Sequence, residues 1–595
     1  MPKRRKSWKR SKGDKRARKR SSKKSTEHAR TLLNGKNLYS LLKLSALMSL
    51  VEMLEPGYSE AEEGARYGRN VAQLEGRSVS LGQFWGAINP VKVRLFCDLV
   101  LRSAATFEKA DDLDSLSLWN ILDDLHNAMD DPQALSDLRS ANRTDDAVWE
   151  FNRFLSLLAS TQIAEQEIDV HLRTGRLLAM FEALPSLHAE SMQPQSFEET
   201  LAGIPAALGA TIRDLTQVFF FVFNFYAHSY RQLRVNLPFI PSGDTQPETR
   251  RRSLERLLAG LSLLAEDESL LLTPRRVEEL SQGAIERSSC LSFCSLLGKS
   301  PEGHRRLQAE DPAFQLGHPA TSLVTLDRYP LVLFPEKRQG DPSFVVPNVR
   351  LFIKGFPRAV DFVLQRHLGD CYNQVRGASQ EIYLRCLVED RLPSVLVVPE
   401  RVYGKEHQRG PDATLINPHG GELVLVESKG RRIAARTRHL LYKDLLHENL
   451  APAYQALLKL PKKIEALYSG LKEYADVQDA INATREKEPI LVVVLDDDVY
   501  FMSELVRLEM DRRGHSHPLH GFSYRFAVVS LNTFERAVQL AAEAEKSLWE
   551  LFREHWDVSG RNLSPPYDHN SPTADMFGGV AFDERRSFGA SFLRA

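Results

Sequence analysis

The sequence predicts a multidomain chain, with an N-terminal helical region followed by an α/β domain built on a central mixed sheet. Two observations lead to this. Leu recurs at three- and four-residue intervals through "LYSLLKLSALMSLVEMLE" and "SLERLLAGLSLLAEDESLLL", the period of amphipathic helices. Beyond about residue 320, short apolar runs such as "PILVVVL" and "YRFAVVSL" alternate with helical stretches, the pattern of an α/β domain. The 595 residues, 43% hydrophobic and 26% charged, have the composition of an ordinary globular protein with room for several domains.

The elements follow in order. Residues 1–30 hold fifteen Lys and Arg against Asp14 and Glu27 and have almost no apolar content, so a disordered basic arm is expected. The whole chain has zero formal charge, so the remainder is acidic. The arm suits phosphate contact or a nuclear address, or it is a solubilising tail. Residues 31–320 read as the helical region. "EPGYSE", "DDPQ" and "PFIPSGDTQPET" break it, and 236–250 is a candidate linker. Nothing in this half reads as catalytic. It is open to a second copy or a protein partner.

The apolar run from Val218 is too short to span a bilayer and reads as a buried helix. The N-terminus lacks the apolar core of a signal peptide, and five cysteines make no disulfide framework, so the expected location is the cytoplasm, without a membrane partner. Cys290 and Cys294 have no second Cys/His pair nearby and read as core residues.

The α/β domain is expected over 321–558. "SLVTLDRYPLVLF" and "PSFVVPNVRLFI" suggest strands. A helix at about 358–391, strands at 395–403, 411–417 and 422–429, and helices over 433–470 follow. Strands at 489–495 and 524–531 and a long helix to about 554 complete it. Residues 559–595, rich in turn formers, read as a loose tail.

One hairpin concentrates charge. Pro418-His419-Gly420-Gly421 is a turn signal between two strand-like runs. With Asn417 opposite Glu422, Asp412 falls opposite Glu427, and Lys429 shares that face two residues on. Two carboxylates at the end of a buried strand repel each other, and a divalent cation resolves the repulsion. Hard oxygen donors suit magnesium, with manganese as an alternative. Such an ion polarises a phosphoryl oxygen and activates water, while a lysine meets the developing charge.

Pro411-Asp412, fourteen residues and Glu427-Ser428-Lys429 resemble the PD-(D/E)xK nuclease superfamily, which implies a restriction-endonuclease-like domain over about 345–550. The family core runs helix, strand, hairpin strands, helix, strand. The resemblance implies Asp412, Glu427 and Lys429 as catalytic residues, with Glu381 of "GASQEIYLRCLVED" joining Asp412 and Glu427 as a metal ligand. It also implies Gln455 or Lys459 of "PAYQALLKL" beside the nucleic acid. Arg431 and Arg432, leading a basic run through Arg436, Arg438, His439 and Lys443, suit backbone contact. The implied activity is metal-dependent phosphodiester hydrolysis, with DNA as the expected substrate, in restriction or anti-phage defence.

Three other readings stand beside it. Glu427 with Asp496 and Asp498 of "VVVLDDDVY" resembles a Toprim metal site. The fold can also serve a non-catalytic nucleic-acid-binding or assembly protein. Blandest, Asp412 is a cap, and Glu427 with Lys429 forms an exposed ion pair.

Overall fold

The computed structural model describes residues 27–54, 90–103, parts of 105–125, 176–183, 194–234, 259–261, 270–311, 324–334, 340–430, 443–496, 525–543 and 546–557, with isolated positions at 314, 506 and 510. The basic arm to residue 26, the 236–250 stretch and the tail lie outside them. The chain is mostly helical, with sheets of three, five and two strands among the described residues. It divides into two compact units that interleave along the sequence. One comprises 1–143, 221–279 and 293–356; the other comprises 144–220, 280–292 and 357–595. The boundary expected near residue 320 falls within the 293–356 segment of the first unit.

In the first unit the helix Leu38–Leu54 is buried nearly all round, which is why its leucines do not keep to one face. Tyr226 joins two buried backbone groups: its hydroxyl donates to the Leu270 carbonyl at 2.7 Å and accepts from the Val346 amide at 2.9 Å. The runs expected to open the α/β domain lie here instead. Leu331–Phe334 pairs with Gly298–Lys299 and Ser343–Val345 in a three-stranded sheet. "NVRLFI" is helical because Asn348 caps it, accepting from the Leu351 amide at 2.9 Å. Cys290 and Cys294, on the helix Arg287–Leu297, are buried free thiols, as expected. No single helix among the described residues is long and apolar enough to cross a membrane.

His304 in this unit sets an acid limit on stability. The Leu331 carbonyl can only accept, so Nε2 donates to it, at 3.3 Å; Nδ1 then accepts from the Thr325 hydroxyl at 2.8 Å. Burial pushes the imidazole down to about 4, helped by the Lys299 charge. Its folded pKa lies below its unfolded one, so its stabilisation is complete above about pH 6.5 and falls as pH drops toward 4, by up to ~3 kcal/mol. Acid unfolding of His304→Gln should lack this component in a chemical-denaturation series from pH 7 to 4. An identical pH slope in both proteins would contradict it.

The second unit holds the five-stranded sheet. Helix α1, Val349–Arg391, enters this unit at Pro357 and is broken at Gly369, whose φ of 57° and ψ of −133° leave the helical region. Strand β1 is Leu396–Pro399, and a small hairpin, β2 Val402–Tyr403 and β3 Gln408–Arg409, replaces the continuous strand expected over 395–403. Then come β4 Ala413–Asn417, β5 Glu422–Lys429, α2 Lys443–Tyr468, β6 Ile490–Leu495 and β7 Arg525–Ser530. The sheet order is β7-β6-β5-β4-β1, and β4 alone runs against the rest. Strands β5 and β6 are buried almost throughout, so their apolar runs are continuous, as central strands require. The single long helix expected at the end is two, α3 Leu531–Glu543 and α4 Leu548–Asp557. Ser547 and Glu550 form a reciprocal capping box that starts α4 anew, with the Ser547 amide donating to Glu550 at 2.9 Å and the Glu550 amide donating to Ser547 at 3.2 Å.

Candidate active site

The β4–β5 hairpin has the expected register, with Asn417 opposite Glu422 and Ala413 opposite Val426. Asn417 shapes the turn by accepting from the Gly420 amide at 3.2 Å, and Gly421 takes a positive φ of 62°. Continuing the pairing past the strand start brings Asp412 to the second strand, where its Oδ2 accepts from the Ser428 amide at 2.6 Å.

At this end the charges converge. Lys429 Nζ lies 2.8 Å from Glu427 Oε2 and 3.7 Å from Asp412 Oδ2. Glu427 is only 5% exposed, so it is no solvated strand-end partner. Its other oxygen accepts from Lys463, which also donates to the Gly410 carbonyl at 2.7 Å. Two ammonium groups thus hold one buried carboxylate.

Glu381 comes from α1, which lies close on the strand end because residue 430 is glycine. A Cβ there would meet Gln380 Oε1 at 3.2 Å and Gly377 Cα at 3.5 Å. Two residues beyond Glu381, the Tyr383 hydroxyl donates at 2.7 Å to Glu535 on α3, tethering the helix. Glu535 is itself clamped by Arg176 at 2.6 Å.

The protonation states follow from burial and crowding. Burial, then the Glu427 charge, pushes Asp412 up to about 6. Burial, then Asp412 and Glu400, pushes Glu381 up to about 8. Burial works against the charge on Lys429, but Asp412 and Glu427 together outweigh it and raise its pKa. At neutral pH the site therefore keeps its ammonium charge and holds a proton on Glu381.

The other expected residues are placed differently. Gln455 and Lys459 are exposed on α2, and Lys463, one turn beyond Lys459, reaches the carboxylates instead. It was missed because a lysine among the several of "LLKLPKKIEAL" carries no pattern that marks it from a solvated one, although α2 was expected to run past it. Arg431, Arg432, Asp497 and Asp498 lie outside the described residues, as do the side chains of the basic run through Lys443. Asp496 is held by Arg376, which also donates to the Gly430 carbonyl at 2.6 Å. A cavity of about 260 Å³ opens at the opposite end of the hairpin, beside Asn417, Glu422 and Trp549, away from the converging charges.

Among the described residues no group of three or more His, Cys, Asp or Glu side chains forms a ready metal cluster. The donor chemistry still suits a hard cation at two carboxylates. Asp412 and Glu427 offer only oxygen, burial and then the Glu427 charge raise the Asp412 pKa, and magnesium commonly takes one or two carboxylates and keeps several waters. Comparison of the chain with protein-family models, curated proteins and solved structures finds no match, so what the site can do is read from its own chemistry.

Proposed function

We propose that the chain is a metal-dependent nuclease that hydrolyses phosphodiester bonds in DNA, with a restriction-endonuclease-like domain carrying Asp412, Glu427 and Lys429 as the catalytic set. The observation that carries this reading is the hairpin end itself: Asp412 anchored to the Ser428 amide, Glu427 buried beside it, and Lys429 between them. The element order supports it. Helix α1, strand β1, the β4–β5 hairpin, helix α2 and strand β6 follow one another as the PD-(D/E)xK resemblance implies.

Magnesium held by Asp412 and Glu427 would polarise a phosphoryl oxygen and lower the pKa of an attacking water. The chain's own groups do the rest. Lys429 stays protonated and neutralises charge building on the phosphate, where a fixed ammonium in a partly buried site acts strongly. Glu381 keeps its proton while the site is apo, sparing the buried cluster a third negative charge. Lys463 holds Glu427 and the backbone entering Pro411-Asp412 in one grip.

The alternative pairing of Glu427 with Asp496 and Asp498 is the weaker reading, because Arg376 already neutralises Asp496. A purified-chain assay on duplex DNA, with magnesium or with chelator, tests the proposal. Cleavage is expected only with the metal. Duplex binding without any cleavage across divalent ions would instead mark a non-catalytic DNA-binding protein.

Lys463 yields a separate prediction. Lys463→Met leaves one side of Glu427 and the Gly410 carbonyl without their donor, which should cost ~1–3 kcal/mol in thermal unfolding without metal. Added magnesium should recover more of that loss than it adds to the wild type, because a cation replaces the missing ammonium. Equal magnesium stabilisation of both proteins would show that Lys463 and the ion act at separate places.

A further inference from the structure

The β2–β3 hairpin sits between the edge strand β1 and the Gly410-Pro411-Asp412 entry to the site. Its base is fixed from four directions. The Gly410 amide donates to the Arg401 carbonyl at 2.8 Å, and Lys463 holds the Gly410 carbonyl. Tyr403 packs against Tyr474 with ring centroids 6.3 Å apart. Arg401 lies over that same ring and grips Asp476. Gly410 is required there, because a Cβ would meet Tyr474 Oη at 2.6 Å.

From this rigid base the ribbon enters solvent, with residues 404–409 exposed without interruption. Its two faces differ. Tyr403 and Gln408 are opposed, and Tyr403 points inward. Val402 and Arg409 are opposed on the outward face, with Val402 50% exposed and the Arg409 side chain 70% exposed. Arg409 makes one ion pair, with Glu400 at 3.6 Å, which leaves most of its guanidinium in solvent, and Val402 beside it is half exposed. Lys405 stands in the loop that joins the strands.

Arg409 is three residues from Asp412, so their Cα atoms are at most ~11 Å apart. That is less than the width of the DNA major groove, ~12 Å, which admits a two-stranded β-ribbon. Arginine reads guanine O6 and N7 there, and an apolar side chain meets the thymine methyl.

We propose that the Val402–Arg409 hairpin is the specificity element of this protein, entering the major groove of duplex DNA beside the cleaved strand with Arg409 and Val402 facing base edges and Lys405 on a phosphate. The proposal rests on the nuclease reading for its substrate, and it makes the chain's cutting selective for base sequence.

The test is duplex binding by the full chain, with calcium replacing magnesium so that binding is read without cutting, on a randomised oligonucleotide pool. Arg409→Ala should weaken duplex binding about tenfold and erase the preference at one or two adjacent base pairs. Arg409→Lys should not restore that preference, because lysine lacks the two-pronged contact. Lys405→Ala should weaken all sequences alike and lower the salt slope by about one. Arg306→Ala, which removes the same charge from an exposed helix position, should do neither. Unchanged affinity and base preference in Arg409→Ala overturns the proposal, as does an equal loss in Arg306→Ala or on single-stranded DNA. A wild-type chain that binds duplex through Arg409 but never cuts in magnesium sinks the nuclease reading and leaves the groove contact standing.

Discussion

Asp412→Ala and Glu427→Ala are each expected to lower DNA cleavage by about a thousandfold or more, because either change removes one of the two carboxylates proposed to hold the ion. Lys429→Ala should lose about a hundred- to a thousandfold, the scale of deleting one electrostatic stabiliser, while magnesium binding persists. The three are separable by calorimetric metal titration, which should fail for the two acids and succeed for the lysine. Folding needs its own control in each. Glu427 is buried between two ammonium groups, so its removal takes the shared carboxylate from both, and Glu427→Gln is the milder probe. Asp412→Asn keeps an oxygen for the Ser428 amide and should fold while cutting poorly. Asp496→Ala breaks the Arg376 bond and should cost stability, with metal-dependent cutting retained in whatever fraction stays folded. A folded Asp412→Asn chain that cuts at the wild-type rate, or a folded Asp496→Ala chain that does not cut at all, would move the metal to the β6 end and defeat the assignment.

How much of this was legible in the chain depends on the range of the forces involved. The β4–β5 register was readable because a four-residue turn fixes it locally: once Asn417 faces Glu422, strand geometry carries Asp412 to Glu427. Strands β6 and β7 were readable from their continuous apolar runs. The split between α3 and α4 was also written locally, in Ser547-Leu548-Trp549-Glu550, but helical periodicity on both sides masked the cap. The sheet to which Leu331–Phe334 belongs was not readable, because its partner Gly298–Lys299 is two residues long and has no pattern of its own. Lys463 was hidden for a related reason. Its role depends on contacts 36 and 53 residues away, with Glu427 and the Gly410 carbonyl, which helical periodicity over 433–470 does not show. The β2–β3 hairpin was hidden because two-residue strands fall below any periodicity.

The protonation of the site gives the second large effect. Glu381 and Asp412 both have folded pKa values above their unfolded ones, near 8 and 6 against about 4. Their contribution to stability is complete below about pH 4 and is lost as pH climbs through 6 and then 8, so the metal-free protein pays for a crowded carboxylate cluster in alkali. A cation at Asp412 and Glu427 reverses this, because its charge favours the ionised form of every carboxylate around it, Glu381 included, whether or not Glu381 touches it. Ion binding therefore releases protons, and magnesium affinity should rise with pH, by about tenfold per unit where one proton is displaced, from pH 6 to 8. The thermal stabilisation by a fixed magnesium concentration should grow across the same window, since it follows the logarithm of concentration over dissociation constant. His304 has the opposite pH dependence, but it is indifferent to the ion and cancels from the difference with and without magnesium. Glu381→Gln should flatten the upper part of the curve, between about pH 6.5 and 8, and leave the lower part to Asp412. A magnesium affinity independent of pH over 6–8 in the wild type, or a slope that Glu381→Gln leaves untouched, would show that these carboxylates do not share their protons with a metal site.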